Sequence, residues 1–357
     1  MDKYIGFDID SKKVVACVVE KGRREMYTTM SSDISCMIWY LKKQKADGSR
    51  VHLVYEISGQ AGFLYDALCD YADSITVANP SKMTWIYRTA KKNDRMDARK
   101  MAILLSIGEI PSVYMPGREV RQWRQTILHR KGIVQKITAV KNSTRALLKS
   151  KGYNNPCHKG SWWKKANRQW MRTLSEDTEK GAVNLFTVQL GNFLDEMDIF
   201  NGQLKRLTEY LDNYLKGQAG SDILMSIPGV GPRTTEAVLA YTDDVERFSS
   251  YKEYCSYFGV TPRLDESGSS RRMGHISKLG PSVVRWVLCE SSWKVIRKSK
   301  ALRAFYERVM SGQASRKKIA IVAVSRKLLC IMRAMLKSGQ KFNEEIVERT
   351  CQLKETA

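Results

Sequence analysis

The sequence holds no Cys-x-x-Cys pair. Its eight cysteines (Cys17, Cys36, Cys69, Cys157, Cys255, Cys289, Cys330 and Cys351) are scattered, and none of its four histidines stands at a matching metal-ligand spacing. That argues against a zinc site or a disulfide framework and leaves free thiols as the expectation. No apolar run is long enough to span a bilayer, and Met1-Asp2-Lys3-Tyr4 enters an apolar strand pattern with no basic-then-hydrophobic leader. A soluble, cytoplasmic chain without a membrane partner is expected. Acid is also scarce: 37 Asp and Glu stand against 60 Lys and Arg, a formal net charge of +23. An excess of that size points to a polyanionic partner, nucleic acid first.

What the sequence does contain is enough for two or three domains, with 43% hydrophobic residues over 357 positions. Short apolar runs at Tyr4 to Asp8, Lys13 to Glu20, Val51 to Glu56 and Ile75 to Ala78 read as strands, and Gly62 to Tyr71 and Met96 to Ile107 as helices. The pattern implies an α/β domain over 1–116. From Arg118 to Arg172 there are 15 Lys or Arg and a single acid, Glu119, while Val120, Trp123, Ile127, Val134, Ile137 and Leu148 keep helical spacing. A long basic helix is expected, its repulsion relieved by phosphate, with Arg121, Arg124, Arg130, Lys131, Lys141 and Arg145 as contacts. Trp162 and Trp163 beside Lys164 suit base stacking as well as they suit packing on a helix. Val183 to Leu215 returns to helical periodicity, as the second arm of a helical hairpin or coiled coil, so 117–220 reads as a basic helical linker.

The remainder, 221–357, reads as mostly helical. It opens on Ile227-Pro228-Gly229-Val230-Gly231-Pro232, which resembles a helix-hairpin-helix turn; Gly229 and Gly231 would let backbone amides approach a DNA phosphate. An ordinary interhelical turn is the plainer reading. Gly259 to Lys278 is polar, Gly-rich and basic, and reads as an exposed loop before a helix starting near Pro281.

Four acids carry the chemistry. Asp8 and Glu56 each end an apolar strand, so both carboxylates emerge at a sheet rim, and Asp94 and Asp97 share one helix face. Converging carboxylates repel unless a cation joins them, and hard oxygen ligands select Mg²⁺ or Mn²⁺, the ions of phosphodiester chemistry. Asp10 is expected to be a turn residue. Singly, each acid is as well explained as a cap or turn residue.

Tyr-Ile-Gly-Phe-Asp8, Glu56-Ile-Ser-Gly59 and Lys92-Asn-Asp-Arg-Met-Asp-Ala98 resemble, in order, the signatures of the DEDD transposases of the insertion-sequence one-ten class, relatives of the Piv DNA invertases. The resemblance implies a RuvC-like, RNase H-type domain with Asp8, Glu56, Asp94 and Asp97 as metal ligands. It also implies a C-terminal domain supplying a nucleophilic serine. Aligned on Gly274-His-Ile-Ser-Lys278, Ser267-Gly268 falls on the family's Ser-Gly element, with Ser269 and Ser270 as substitutes because Glu266 replaces the usual first serine. Arg271, Arg272 and Lys278 would meet the phosphate.

By the same resemblance the chain would be a dimer or tetramer in the nucleoid of a prokaryote. It would cut and rejoin DNA through a covalent phosphoserine link, guided by a noncoding RNA of its own element. Two rivals are a structure-selective nuclease of the Holliday-junction-resolving kind, acting by metal-activated water, and a non-catalytic nucleic-acid-binding protein.

Overall fold

The computed structural model describes residues 1–83, 93–176, 184–267 and 270–352, with side chains left aside at 264–273 and 352. The chain divides into two compact units, Met1–Arg121 and Gln122–Ala357.

The first unit is a mixed five-stranded sheet: β1 (Asp2–Ile9), β2 (Lys13–Val19), β3 (Met26–Ser31), β4 (Arg50–Glu56) and β5 (Ser74–Ala78). Their spatial order is β3-β2-β1-β4-β5. The first three strands form an antiparallel meander, and β4 and β5 run parallel to β1. Helices α1 (Ile34–Lys45) and α2 (Ala61–Leu68) cover one face, where Phe7, Leu53 and Tyr55 are buried with Met37, Leu41, Leu64 and Leu68. Burying each such side chain contributes ~1.5–3 kcal/mol.

Helix α3 (Asp94–Ser106) covers the other face through Ala98, Met101 and Ala102. Two coverings explain why the central strands read as nearly continuous apolar runs. The fit is close: a Cβ on Gly6 would lie 2.1 Å from the Ala98 carbonyl oxygen. Only glycine lets α3 rest on the β1 backbone. Asn93 caps α3 by accepting the Arg95 amide, and Asp94 and Asp97 in the first turn favour its N-terminal dipole.

Helix α4 (Arg118–Ser150) leads into the second unit and packs with α5 (Lys165–Glu176) and α6 (Leu185–Lys216) around Val140, Leu148, Met171, Leu190, Leu194 and Met197. The expected single basic helix to Arg172 is therefore two helices. Gly152, at φ +85°, ends the first, and Pro156 follows in the link.

The basic block also finds partners inside the protein. Arg172 bridges Asp195 and Asp198 of α6 at 2.6 Å each, and Arg168 pairs with Asp198. Phosphate is not required to hold those two charges.

The rest is helical: α7 (Ser221–Met225), α8 (Pro232–Thr242), α9 (Tyr251–Tyr257), α10 (Ser282–Lys298), α11 (Lys300–Met310), α12 (Lys317–Ser338) and α13 (Glu344–Gln352). Val238, Val284, Leu288, Val295, Leu302, Leu328 and Met332 lie in its core. Between α9 and α10, where a loop is expected, the chain forms a two-stranded hairpin of β6 (Pro262–Ser267) and β7 (Ser270–Ile276). Among the described residues no helix is long and apolar enough to cross a membrane.

Candidate functional site

The sheet register brings two of the four acids side by side. Phe7 pairs with Tyr55 across the parallel β1–β4 ladder. One step on, Asp8 and Glu56 are neighbours, at the ~4.8 Å spacing of adjacent strands. Phe7 and Tyr55 point to the α1–α2 face, so alternation turns Asp8 and Glu56 to the face under α3. Both are half-buried. Asp94 and Asp97 extend the sheet-facing stripe of Ala98, Met101 and Ala102 back by one turn, and both are half-buried too.

Lys13, which opens β2 opposite the end of β1, links helix to sheet. Its ammonium bridges the Asp94 carboxylate at 2.7 Å. That hydrogen bond and charge, with Asp10 and Asp8 adding theirs, hold Lys13 above the ordinary lysine range. One cation thus senses three carboxylates from β1, its turn and α3. Asp10 accepts the Ser11 amide at 2.6 Å, as a turn residue does.

These acids offer the hard oxygens that a divalent ion selects. Among the described residues, however, no three His, Cys, Asp or Glu side chains are grouped so as to hold a metal ion. The carboxylates gather at one end of the sheet without closing into a cage, and an ammonium stands against Asp94.

Ser267 ends β6 and pairs in register with Ser270, which opens β7 at the hairpin tip. Ser269 lies outside the described residues. Arg271 and Arg272 stand across the ladder from Glu266 and Asp265. Lys278 is at the stem, exposed, with φ +56°.

The stem is tightly built. Gly259 and Gly280 have φ of +68° and +77°, and a Cβ on either would fall within about 2 Å of the Leu279 or Tyr257 carbonyl oxygen. Arg285 of α10 donates from one guanidinium nitrogen to the carbonyls of Phe258, Leu279 and Gly280, at 3.2, 2.8 and 2.9 Å. Sequence reasoning passes over this arginine, because nothing in a helical basic residue announces three carbonyl partners.

The expected nucleic-acid contacts divide. Arg121 donates to the Pro116 and Gly62 carbonyls and pairs with Asp66. Arg124 donates to Ala240 at 2.7 Å and lies 4.8 Å from the Tyr241 ring centre. Arg130 is buried, its guanidinium 3.4 Å from the wholly buried Glu236 of α8. These three are committed inside the fold.

Glu236 also meets Arg233 at 2.9 Å, and Arg233 pairs with Asp212 of α6. Neither Glu236 oxygen makes a hydrogen bond. Burial therefore outweighs both arginines and pushes its carboxyl up to about 7. A buried charge cluster of this kind is invisible in sequence, since its members come from three helices.

Trp162 and Trp163 pack, half-buried, on the core of α4, α5 and α6, with Lys141 5.4 Å from the Trp163 ring centre. Arg145 bonds Asn142, and Lys164 the Lys159 carbonyl. Lys131 lies 5.7 Å from the Trp286 ring centre. At the Gly-rich turn Gly229 has φ +100°, and a Cβ there would come within 2.8 Å of the Val295 amide nitrogen, so α10 packs directly on it. Gly231 is extended and caps α8, with Pro232 in the first turn.

A DEDD transposase model of the insertion sequence IS110 matches residues 5–152, and a model described as the transposase IS116/IS110/IS902 family matches residues 221–307. The pilin gene-inverting protein of Moraxella lacunata is 25% identical over 365 residues, covering 97% of this chain and 99% of that one. A probable family 20 transposase of Pseudomonas aeruginosa is 24% identical over 241 residues, 66% of this chain and 69% of its own. The transposase for insertion sequence element IS1111A of Coxiella burnetii is 25% identical over 236 residues, 62% of each. With the acid-bearing unit matched by the first model and the hairpin-bearing region by the second, this chain belongs to the IS110 class of DEDD transposases.

Proposed function

We propose that the chain cuts and rejoins DNA strands through a divalent ion held by Asp8, Glu56, Asp94 and Asp97 and a nucleophilic serine at the β6–β7 hairpin, Ser267 in the first place. The observation that carries the reading is the adjacency of Asp8 and Glu56 on the sheet face to which α3 adds Asp94. The order β3-β2-β1-β4-β5, with β1 between an antiparallel meander and two parallel strands, supports an RNase H-like fold for this unit. Helices α4 and α6 would be the coiled-coil arms.

Mg²⁺ or Mn²⁺, when bound, supplies electrostatic stabilisation of charge on the scissile phosphate. The protein's own steps are these. The four carboxylates would hold that ion, with the Lys13 ammonium giving up Asp94 to it. The Ser267 hydroxyl attacks phosphorus and the P–O bond to one deoxyribose oxygen breaks, the serine proton ending on that oxygen, which leaves as a hydroxyl. The resulting phosphoserine keeps a phosphodiester in place of the one lost. A hydroxyl of the partner strand then attacks the same phosphorus, and serine leaves protonated. Arg271, Arg272 and Lys278 are the cations that would balance the phosphate charge.

A homo-oligomer in which acids and serine meet from different subunits, and a guide RNA from the element, complete the proposal. The excess of basic residues suits both polymers.

The test is incubation with element-end DNA, Mg²⁺ and flanking RNA, followed by denaturing electrophoresis for a protein–DNA adduct. The adduct is expected from the wild type, and is absent in Ser267→Ala and in Asp8→Asn. Cleavage by Ser267→Ala without adduct, with Ser269→Ala and Ser270→Ala also still cutting, would replace the serine mechanism by hydrolysis. Full activity in Asp8→Asn would remove the acidic site.

A further inference from the structure

Helix α10 buries Val284, Leu288, Ser291 and Val295 on one side. On the other, Trp286 and Trp293 are 43% and 36% exposed, the reverse of what the two largest apolar side chains of an ordinary helix would do. They are seven residues apart, so both rings leave the same face, about 10.5 Å apart along the axis. Neither is loose: Lys131 lies 5.7 Å from the Trp286 ring centre, and Trp293 packs edge-on against Tyr306 at 6.0 Å. Lys294 and Arg297 are exposed beside them, and Glu290 is the acid between the rings.

We infer that this face is a stacking platform for an unpaired stretch of DNA, with Trp286 and Trp293 each taking a base and Lys131, Lys294 and Arg297 its phosphates. The choice of occupant follows from charge and shape. A second copy of the chain meeting this face symmetrically would set its three cations against themselves. In a duplex the base faces are already stacked, which leaves these rings nothing to lie on. An unpaired strand offers both a π-face per base and a phosphate per step, and tolerates any sequence. At ~3.4 Å per stacked nucleotide the ring separation spans about three nucleotides. Strand exchange leaves such a segment whenever one strand is cut and its complement is not yet paired.

The inference rests on the chain acting on DNA strands, and its test separates the two. Binding of a labelled dodecamer of thymidylate, and of element-end duplex, is measured by fluorescence anisotropy on the full-length protein. Trp286→Ala and Trp293→Ala are each expected to weaken single-strand binding about tenfold, with duplex binding unchanged. Trp286→Phe and Trp293→Phe are expected to stay within about threefold, which shows that a ring rather than the fold is what was lost.

Single-strand affinity equal to wild type in both alanine variants overturns the platform and leaves the proposed function standing. So does an equal loss for duplex and single strand, or a shift from oligomer to monomer on size exclusion. The same tryptophan dependence with oligouridylate but not thymidylate overturns the assignment to DNA. Failure of the wild type to bind either DNA removes the proposed function itself.

Discussion

The acids and the serine are held in opposite ways. Asp8 and Glu56 rise from adjacent strands whose preceding residues, Phe7 and Tyr55, are wholly buried, with α3 pressed onto the same backbone at Gly6. Ser267 stands at the end of a strand in a two-stranded hairpin whose stem is interlocked by Gly259, Gly280 and Arg285. On the proposed mechanism, mutually repelling carboxylates would have to stay within reach of one ion, which a packed sheet does at small cost in freedom, whereas a serine nucleophile would have to meet a phosphate on a large polymer, which a hairpin anchored at its base allows.

Sheet and hairpin differ most sharply at their glycines. Gly6→Val would drive a branched side chain into the Ala98 carbonyl and lift α3, with Asp94, off the sheet. Overpacking of this kind costs ~1–3 kcal/mol or more, and adduct formation should vanish together with a fall in melting temperature. On the arm, a Cβ on Gly274 would meet Arg263 only at ordinary contact, 3.7 Å. Gly274→Ala should leave the melting temperature unchanged, and a large drop there would mean the hairpin is core-like rather than an arm.

Next in size is the stem. Removing Arg285 leaves three carbonyls without their donor. Hydrogen bonds to a charged group are worth ~1.5–3 kcal/mol, a loss spent on hairpin order rather than on the helical core. Arg285→Ala should therefore speed proteolysis and amide exchange within 262–276 and lower the rate of adduct formation at least tenfold, while the affinity for element-end duplex holds. Loss of duplex binding in parallel would make Arg285 a contact residue instead.

Much of this organisation was legible in the sequence, and the gaps have physical causes. The central strands β1, β2 and β4 announce themselves because both faces of the sheet are buried there, which leaves long apolar runs, and the edge strand β5 still shows through the short run Ile75 to Ala78. Strand β3 does not: Met-Tyr-Thr-Thr-Met-Ser lies at a sheet edge with its side chains largely exposed, so it carries little periodic signal. The four acids could be named from strand ends and helix spacing, but the Lys13 ammonium against Asp94 could not, since it depends on a turn's register. The β6–β7 hairpin read as loop because its pairs, Glu266 with Arg271 and Asp265 with Arg272, are polar on both strands. The basic block read as a phosphate surface because its partners Asp195, Asp198 and Glu236 are distant in sequence.

That last cluster gives a prediction of moderate size. The Glu236 carboxyl, lifted by burial to about 7 from an ordinary 4.5, binds its proton more tightly in the folded than in the unfolded chain. Its contribution is therefore complete below pH 4.5 and is lost as pH rises through 7. The melting temperature of the helical unit should fall across that interval and then level off, and Glu236→Gln should flatten the slope. A wild-type slope of opposite sign would show that Arg130 and Arg233 outweigh burial.

The smallest effect concerns the cation already at the acids. If carboxylates from β1 and α3 are to share a divalent ion, the Lys13–Asp94 bridge competes with it. Both side chains are about half exposed, so solvent screens the bridge and it is weak. Lys13→Ala should then lower the Mg²⁺ concentration giving half-maximal adduct formation, by no more than about fivefold, with the plateau unchanged. A fall in the plateau at saturating Mg²⁺ would mean that Lys13 serves the phosphate directly. The rigid sheet would then carry a cation for the substrate as well as acids for the metal, a task the comparison assigns to the arm.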